Sequence, residues 1–211
     1  CAFINCKSLE SVTIPSTVTE IGRYAFYNCR KLNEVTLNHG LRKIGNCAFT
    51  NCTALKSIKL PSTLDEIGDY VFNSCSNLKE VIFNDGLQKI GDSAFYDCES
   101  LREVIFNNGL QKIGESAFQN CTSLQSITIP SAITEIGIRT FHGCSNAKEI
   151  ILNEGPLKIE RSAFQGCTSL ESITLPPTVT DVDANTFYLC RNLREVELNG
   201  IPQYMDSYAF H

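Results

Sequence analysis

Eleven cysteines in 211 residues are the side chains most able to do chemistry in this chain. Nine of them recur every 23 positions, at Cys6, Cys29, Cys52, Cys75, Cys98, Cys121, Cys144, Cys167 and Cys190. That is not a chelate spacing: metal sites bring two ligands within a few residues and then a second pair, so no metal and no other cofactor is expected. Disulfides fit badly too. Stacked coils sit about 4.8 Å apart, an acceptable Cα separation, but parallel Cβ vectors leave the Cβ atoms about 4.8 Å apart, beyond the usual limit. Bridging would require distortion in every second coil. The favoured reading is a column of reduced thiols packed as small hydrophobes. Cys1 and Cys47 occupy a different, variable position before Ala-Phe. They are expected to be more exposed, and at two coils' distance, roughly 9–10 Å, they are too far apart to bridge.

Other reactive residues form no constellation. His39, His142 and His211 fall at three unrelated phases of the 23-residue period, without positioned Ser or Asp partners, and read as plain surface residues. Glu80 and Glu103 are one period apart and should lie about 5 Å from each other. Paired carboxylates can do acid/base work, but no cleft, base or orienting group is evident beside them, and Lys79 and Arg102 offset their charge. No catalytic residue is therefore expected. The sequons Asn51-Cys52-Thr53 and Asn120-Cys121-Thr122 match the glycosylation signal, yet both fall in the repeat's own Asn-Cys column, so coincidence is preferred.

The elements that position these residues follow from the period itself. Phe recurs at Phe3, Phe26, Phe49, Phe72, Phe95, Phe118, Phe141, Phe164, Phe187 and Phe210 without an insertion. A unit reads L-x-x-V-x-L-[PN]-x-x-L-x-x-I-G-x-x-A-F-x-x-C-x-x. Its V-x-L segment alternates as a half-buried strand does. Its I-G-x-x-A-F segment has apolar spacings of four and five and predicts a turn or a short helical or 3₁₀ piece on the opposite side. One coil cannot bury these residues alone; stacked coils set each column against itself and make a continuous core. The expectation is an α/β repeat solenoid over residues 1–211, a single domain of about nine repeats cut mid-repeat at both ends. It should be a right-handed stack with one parallel strand per repeat.

Strands leave in two ways. Pro15, Pro61, Pro130 and Pro176 follow strands that carry Ser four residues earlier; Asn38, Asn84, Asn107, Asn153 and Asn199 follow strands that carry Glu there. Gly40, Gly86, Gly109 and Gly155 sit two residues beyond Asn and suggest a turn with positive φ at glycine. The array thus looks like a repeated two-coil module, and the near-identical coils of Glu80 and Glu103 break its alternation. Late in the chain the I-G pair becomes Ile159-Glu160, Val182-Asp183 and Met205-Asp206, while Pro156 and Pro202 enter an apolar column. These coils are expected to be looser, or to approach the end of the array.

The formal net charge of −5 argues against a nucleic-acid partner, which calls for a basic patch. No apolar run approaches the roughly 18 residues of a membrane span, so no direct membrane insertion is expected.

The 23-residue unit resembles the leucine-rich-repeat class, and its L-P-x-x-L-x-x-I-G-x-x-A-F-x-x-C form is similar to the BspA-like repeat family over essentially the whole chain. The Asn/Cys ladder common after the strand in leucine-rich repeats is replaced by Thr17, Gly40, Thr63 and Gly86. The resemblance implies a non-enzymatic protein-binding or adhesion module, on a cell surface or secreted; an intracellular location stays open. The alternative it implies is a rigid spacer within a larger surface protein, with further repeats or domains of the same polypeptide as its neighbours.

A protein ligand would meet the outward strand positions, which vary: Thr13, Thr36, Lys59, Ile82, Ile105, Thr128, Ile151, Thr174 and Glu197. Clustered outward isoleucines suggest an interaction surface. The candidate binding residues are Ile82, Ile105 and Ile151, with Glu80, Glu103, Lys59 and Thr128 around them.

Overall fold

The computed structural model describes residues 2–154 and 157–210. Two columns of short parallel strands run the length of the stack. The first is built from the V-x-L segments: β1 (Ser11–Thr13), β3 (Glu34–Thr36), β5 (Ser57–Lys59), β7 (Glu80–Ile82), β10 (Ser126–Ile129), β12 (Glu149–Leu152), β14 (Ser172–Leu175) and β16 (Glu195–Leu198). The second is built from the residues up to the I-G column: β2 (Glu20–Ile21), β4 (Lys43–Ile44), β6 (Glu66–Ile67), β8 (Lys89–Ile90), β9 (Lys112–Ile113), β11 (Glu135–Ile136), β13 (Leu157–Ile159), β15 (Val179–Val182) and β17 (Tyr204–Met205). Every coil but that of Glu103 therefore contributes two strand segments, not one.

Among the described residues there is no helix of any kind, so the molecule is a parallel β-solenoid, and the α/β label and the 3₁₀ segments are corrected. The cause lies in the turns. From Tyr24 to Leu189 each coil places two residues in the left-handed region, one two residues before Phe (Tyr24, φ 57°; Ser93, φ 51°; Arg139, φ 54°) and one two residues after it (Asn28, φ 60°; Asp97, φ 57°; Gly166, φ 75°). Left-handed residues do not propagate a right-handed helix. Alternate amides of this turn instead donate to the next coil: Tyr24 to Asn46 O, Phe26 to Ala48 O and Asn28 to Thr50 O, at 2.8–3.1 Å. Bonds from Phe3 to Ala25 O through Phe187 to Ala209 O carry this ladder along the stack without a break.

The same edge holds the core together. Phe rings of successive coils stack with centroids 5.0–5.7 Å apart and planes within 16°. Each column cysteine from Cys29 to Cys190 donates its thiol to the carbonyl of the Phe one coil back, at 3.1–3.6 Å. That carbonyl already accepts the amide of the Cys in its own coil, as Phe72 O does from Cys75 N, so the thiol fills its second lone pair. The thiols are free, and Cys52 through Cys190 are buried. Burial pushes the Cys144 thiol up to about 12 and Cys190 to about 11. Cys47 is half-buried, as its variable position led us to expect; Cys1 lies outside the described residues.

The first strand column is divided where the sequence alternates. Strands pair as β1–β3, β5–β7, β10–β12 and β14–β16, each a Ser…Pro coil with the Glu…Asn coil that follows it. The additional Glu…Asn coil, around Glu103, pairs with neither neighbour beyond a single bridge, Val104 to Ile127. Asparagine secures the exits. Asn107 Nδ2 donates to Asn84 O and Leu87 O while its Oδ1 accepts the Gly109 amide, and Asn38 acts likewise on Pro15 O, Val18 O and Gly40. This corrects the turn reading of the glycines: Gly40, Gly86 and Gly109 do not have positive φ. Glycine is needed there for close approach. A Cβ on Gly86 would stand 2.7 Å from Ser62 O and 3.1 Å from Asn84 Oδ1. Gly155 and Pro156 lie outside the described residues.

The second column forms one sheet from β2 to β9 and another from β11 to β17, with β9 and β11 unpaired. At this gap Thr140 stands where the neighbouring coils have Ala117 and Ala163, and its hydroxyl donates to the carbonyls of Gly137 and Gly114. At the late I-G departures the bonds between coils are kept. Glu160, Asp183 and Asp206 donate their amides to Ile136, Ile159 and Val182, each at 2.9 Å, as the glycines before them do. Leu157, one residue late in register, pairs with Val179 through a local shift and is buried.

Candidate functional site

The break between β7 and the Glu103 coil opens a groove of about 540 Å³ lined by Lys79, Glu80, Ile82, Phe83, Asp85, Arg102, Glu103, Ile105, Phe106 and Asn107. Its floor has a sequence cause. The third apolar column is aliphatic in most coils, and Leu60, Ile129 and Leu175 are 1–2% exposed. In these two coils it carries Phe83 and Phe106, which are half-buried. Both rings pack edge-on against the turn-edge stack, Phe83 on Phe95 at 5.9 Å and Phe106 on Phe118 at 5.6 Å, and meet each other at 5.7 Å. The larger rings fill the space beneath the strand face where strand pairing has lapsed.

The structure thus brings four of the candidate binding residues into one groove. Ile82 and Ile105 rise from it, 45% and 72% exposed. Glu80 and Glu103 line it with Lys79 and Arg102, so a cleft does accompany the carboxylate pair, contrary to the sequence expectation. Ile82 and Ile105 are not strand-paired to each other: Ile82 pairs with Lys59. Ile82 is therefore a ridge between this groove and a second of about 550 Å³, lined by Thr36, Leu37, His39, Lys59, Phe83 and Asp85 among others. The remaining candidates lie apart. Ile151, 41% exposed, pairs with Thr128 and borders a groove of about 410 Å³ at the next break, between β12 and β14. Sequence reasoning missed Phe83, Phe106 and Asp85. The signal was available, because these are the two coils with Phe in an aliphatic column.

The histidines separate. His39 is exposed. His142 is half-buried, with a buried Nδ1 that has no hydrogen-bond partner, so its reading as a plain surface residue is corrected. Burial first, and then the charge of Arg139, hold it below the usual imidazole range. His211 lies outside the described residues. Among the described residues no group of His, Cys, Asp or Glu is arranged to hold a metal ion, and no helix is long and apolar enough to cross a membrane. At the sequons, Asn120 Nδ2 donates to Asp97 Oδ1, and the Thr53 and Thr122 hydroxyls donate to Arg30 O and Glu99 O.

With strand columns, turn ladder and groove in place, comparison with known proteins decides the family. The family model for the BspA type leucine rich repeat region matches residues 1–125 and 111–211, in six copies. The chain belongs to the BspA-type leucine-rich repeat family. Among solved structures this BspA-type chain is similar to the T. pallidum leucine-rich repeat protein TpLRR, with 33% identity, a TM-score of 0.73, and coverage of 77% of this chain and 78% of that one. It also shares its fold with a leucine-rich repeat protein from Eubacterium ventriosum ATCC 27560, at 21% identity, TM-score 0.71, and coverage of 98% and 77%. No curated protein matches it.

Proposed function

We propose that this BspA-type array is a non-enzymatic module, on a cell surface or secreted, that binds a protein ligand across its first strand column. The groove of Ile82, Ile105, Glu80 and Glu103 is the central contact. The observation that carries this reading is the pair of outward isoleucines, 45% and 72% exposed, over a groove whose floor is aromatic. Exposed apolar side chains beside a concave, partly apolar surface are what a partner's anchor residue needs. Lys59 extends the contact toward β5, and Thr128 with Ile151, one and two coils beyond Ile105, forms a lesser contact.

The test is selection of a displayed random-peptide library on the full chain, repeated on the Ile82→Lys, Ile105→Lys variant. Peptides that bind the wild type and lose the variant support the reading. A library that yields no binders, or only binders indifferent to the two substitutions, overturns it.

A second reading, a rigid spacer within a larger surface protein, draws support from the unbroken Phe stack and turn ladder. A spacer would tolerate charge anywhere on the strand face, so the same variant separates the two.

A further inference from the structure

The groove between β7 and the Glu103 coil holds fixed charges of both signs in a set order. Along each of its two coils, Lys79 or Arg102 comes first, Glu80 or Glu103 next, and Ile82 or Ile105 two residues further on. All six are exposed. The ion pairs among the described residues are Lys43–Glu20, Lys89–Glu66 and Lys158–Glu160, and none involves this groove. Glu80, Glu103, Lys79 and Arg102 thus line one groove, and among the described residues none of them forms an ion pair. Like charges held together disfavour each other, and a partner charge of opposite sign relieves that.

The order limits what fits. Glu80 and Ile82 lie two strand residues apart, about 6.6 Å along the chain direction. In an extended peptide, side chains two residues apart project to the same side with the same repeat.

We propose that the groove takes an extended segment of a partner protein with three features in line. A bulky apolar side chain enters between Ile82 and Ile105 over Phe83 and Phe106. A Lys or Arg two residues away faces Glu80 and Glu103. An Asp or Glu beyond it, in the same direction, faces Lys79 and Arg102. This rests on the reading of the strand face as a protein-binding surface and adds the chemistry of the partner. The apolar residue supplies affinity by burial, while the charges set register and direction.

The test extends the peptide selection with the Glu80→Lys, Glu103→Lys variant, its fold checked by circular dichroism and urea midpoint. On the wild type, enriched peptides should share a basic residue two positions from a bulky apolar one, with an acidic residue beyond. On the charge-reversed variant those peptides should weaken by about 10-fold or more, and fresh selection should place Asp or Glu at that position. Peptides that lose the Ile82→Lys, Ile105→Lys variant but carry no charge order, or bind the charge-reversed variant equally well, overturn this proposal and leave the protein-binding reading standing. The absence of any binder that depends on the two isoleucines overturns both.

Discussion

The turn edge and the first strand face are built from the same coils, yet one is continuous and the other is divided. Every step along the turn edge from Phe3 to Phe187 repeats a Phe stack, a thiol-to-carbonyl bond and amide bonds between coils. The strand face repeats its pairing only within Ser…Pro/Glu…Asn pairs, and lapses at the coil that departs from the alternation. In a solenoid each repeat is stabilised by its own interior and by its nearest neighbours. One uninterrupted edge carrying much of that coupling leaves the other free to vary, and the variation is where the groove forms.

If this division is right, the largest effect of a single substitution lies on the turn edge. Phe95 is fully buried, stacks on Phe72 and Phe118, and supports Phe83. Phe95→Ala should cost about 3–5 kcal/mol, through lost burial and an unfilled cavity between two coils. Urea unfolding measures it. A loss no greater than that of a surface substitution would remove the turn edge from its place as the stabilising element.

The thiol column gives a smaller effect with a distinctive pH signature. Burial raises these thiols above their value in the unfolded chain, to about 12 for Cys144, so between pH 9 and 12 the folded protein holds protons that the unfolded chain releases. The thiols' contribution to stability is then constant well below pH 8.5 and falls as pH rises. The slope is up to about 1.4 kcal/mol per pH unit for each buried thiol. Urea midpoints between pH 7 and 11 should show the decline, and Cys144→Ala should reduce its slope while lowering stability at pH 7. A midpoint independent of pH across that range would mean that the thiols are not buried in neutral form.

How far the sequence anticipates this contrast depends on what a one-dimensional pattern records. The period, the buried columns and the two-coil module are plain from it, because burial and register act on every coil alike. The Ser/Glu and Pro/Asn alternation even marks which strands pair, although only the fold reveals that consequence. The second strand column escapes notice because Glu20–Ile21 and its equivalents are two or three residues long in most coils, too short to show alternation. The turns read as helical pieces because left-handed φ values at Tyr24 or Arg139 leave no mark in residue type; hydrogen bonds to the next coil hold them there. The isoleucines and carboxylates of the candidate site are legible as outward positions. Their groove is not, since it follows from a lapse in pairing above Phe83 and Phe106.

The smallest expected effect on stability belongs to the groove itself, and it sharpens the comparison most. Ile105 is 72% exposed and pairs with no strand residue, so Ile105→Lys removes little buried surface and breaks no ladder bond. Its cost should stay within about 0.5 kcal/mol, the range of surface substitutions. Amide exchange gives the matching local measure. The Phe95 amide donates to Ala117 O at 2.7 Å in the turn ladder and should exchange only with large-scale opening. Amides facing the gap between β7 and Glu103–Phe106 lack that protection and should exchange sooner. A strongly destabilising Ile105→Lys, or equal protection of the two edges, would mean that the strand face is as coupled as the turn edge. The groove would then be a fixed part of the core, with no freedom to serve as a binding surface.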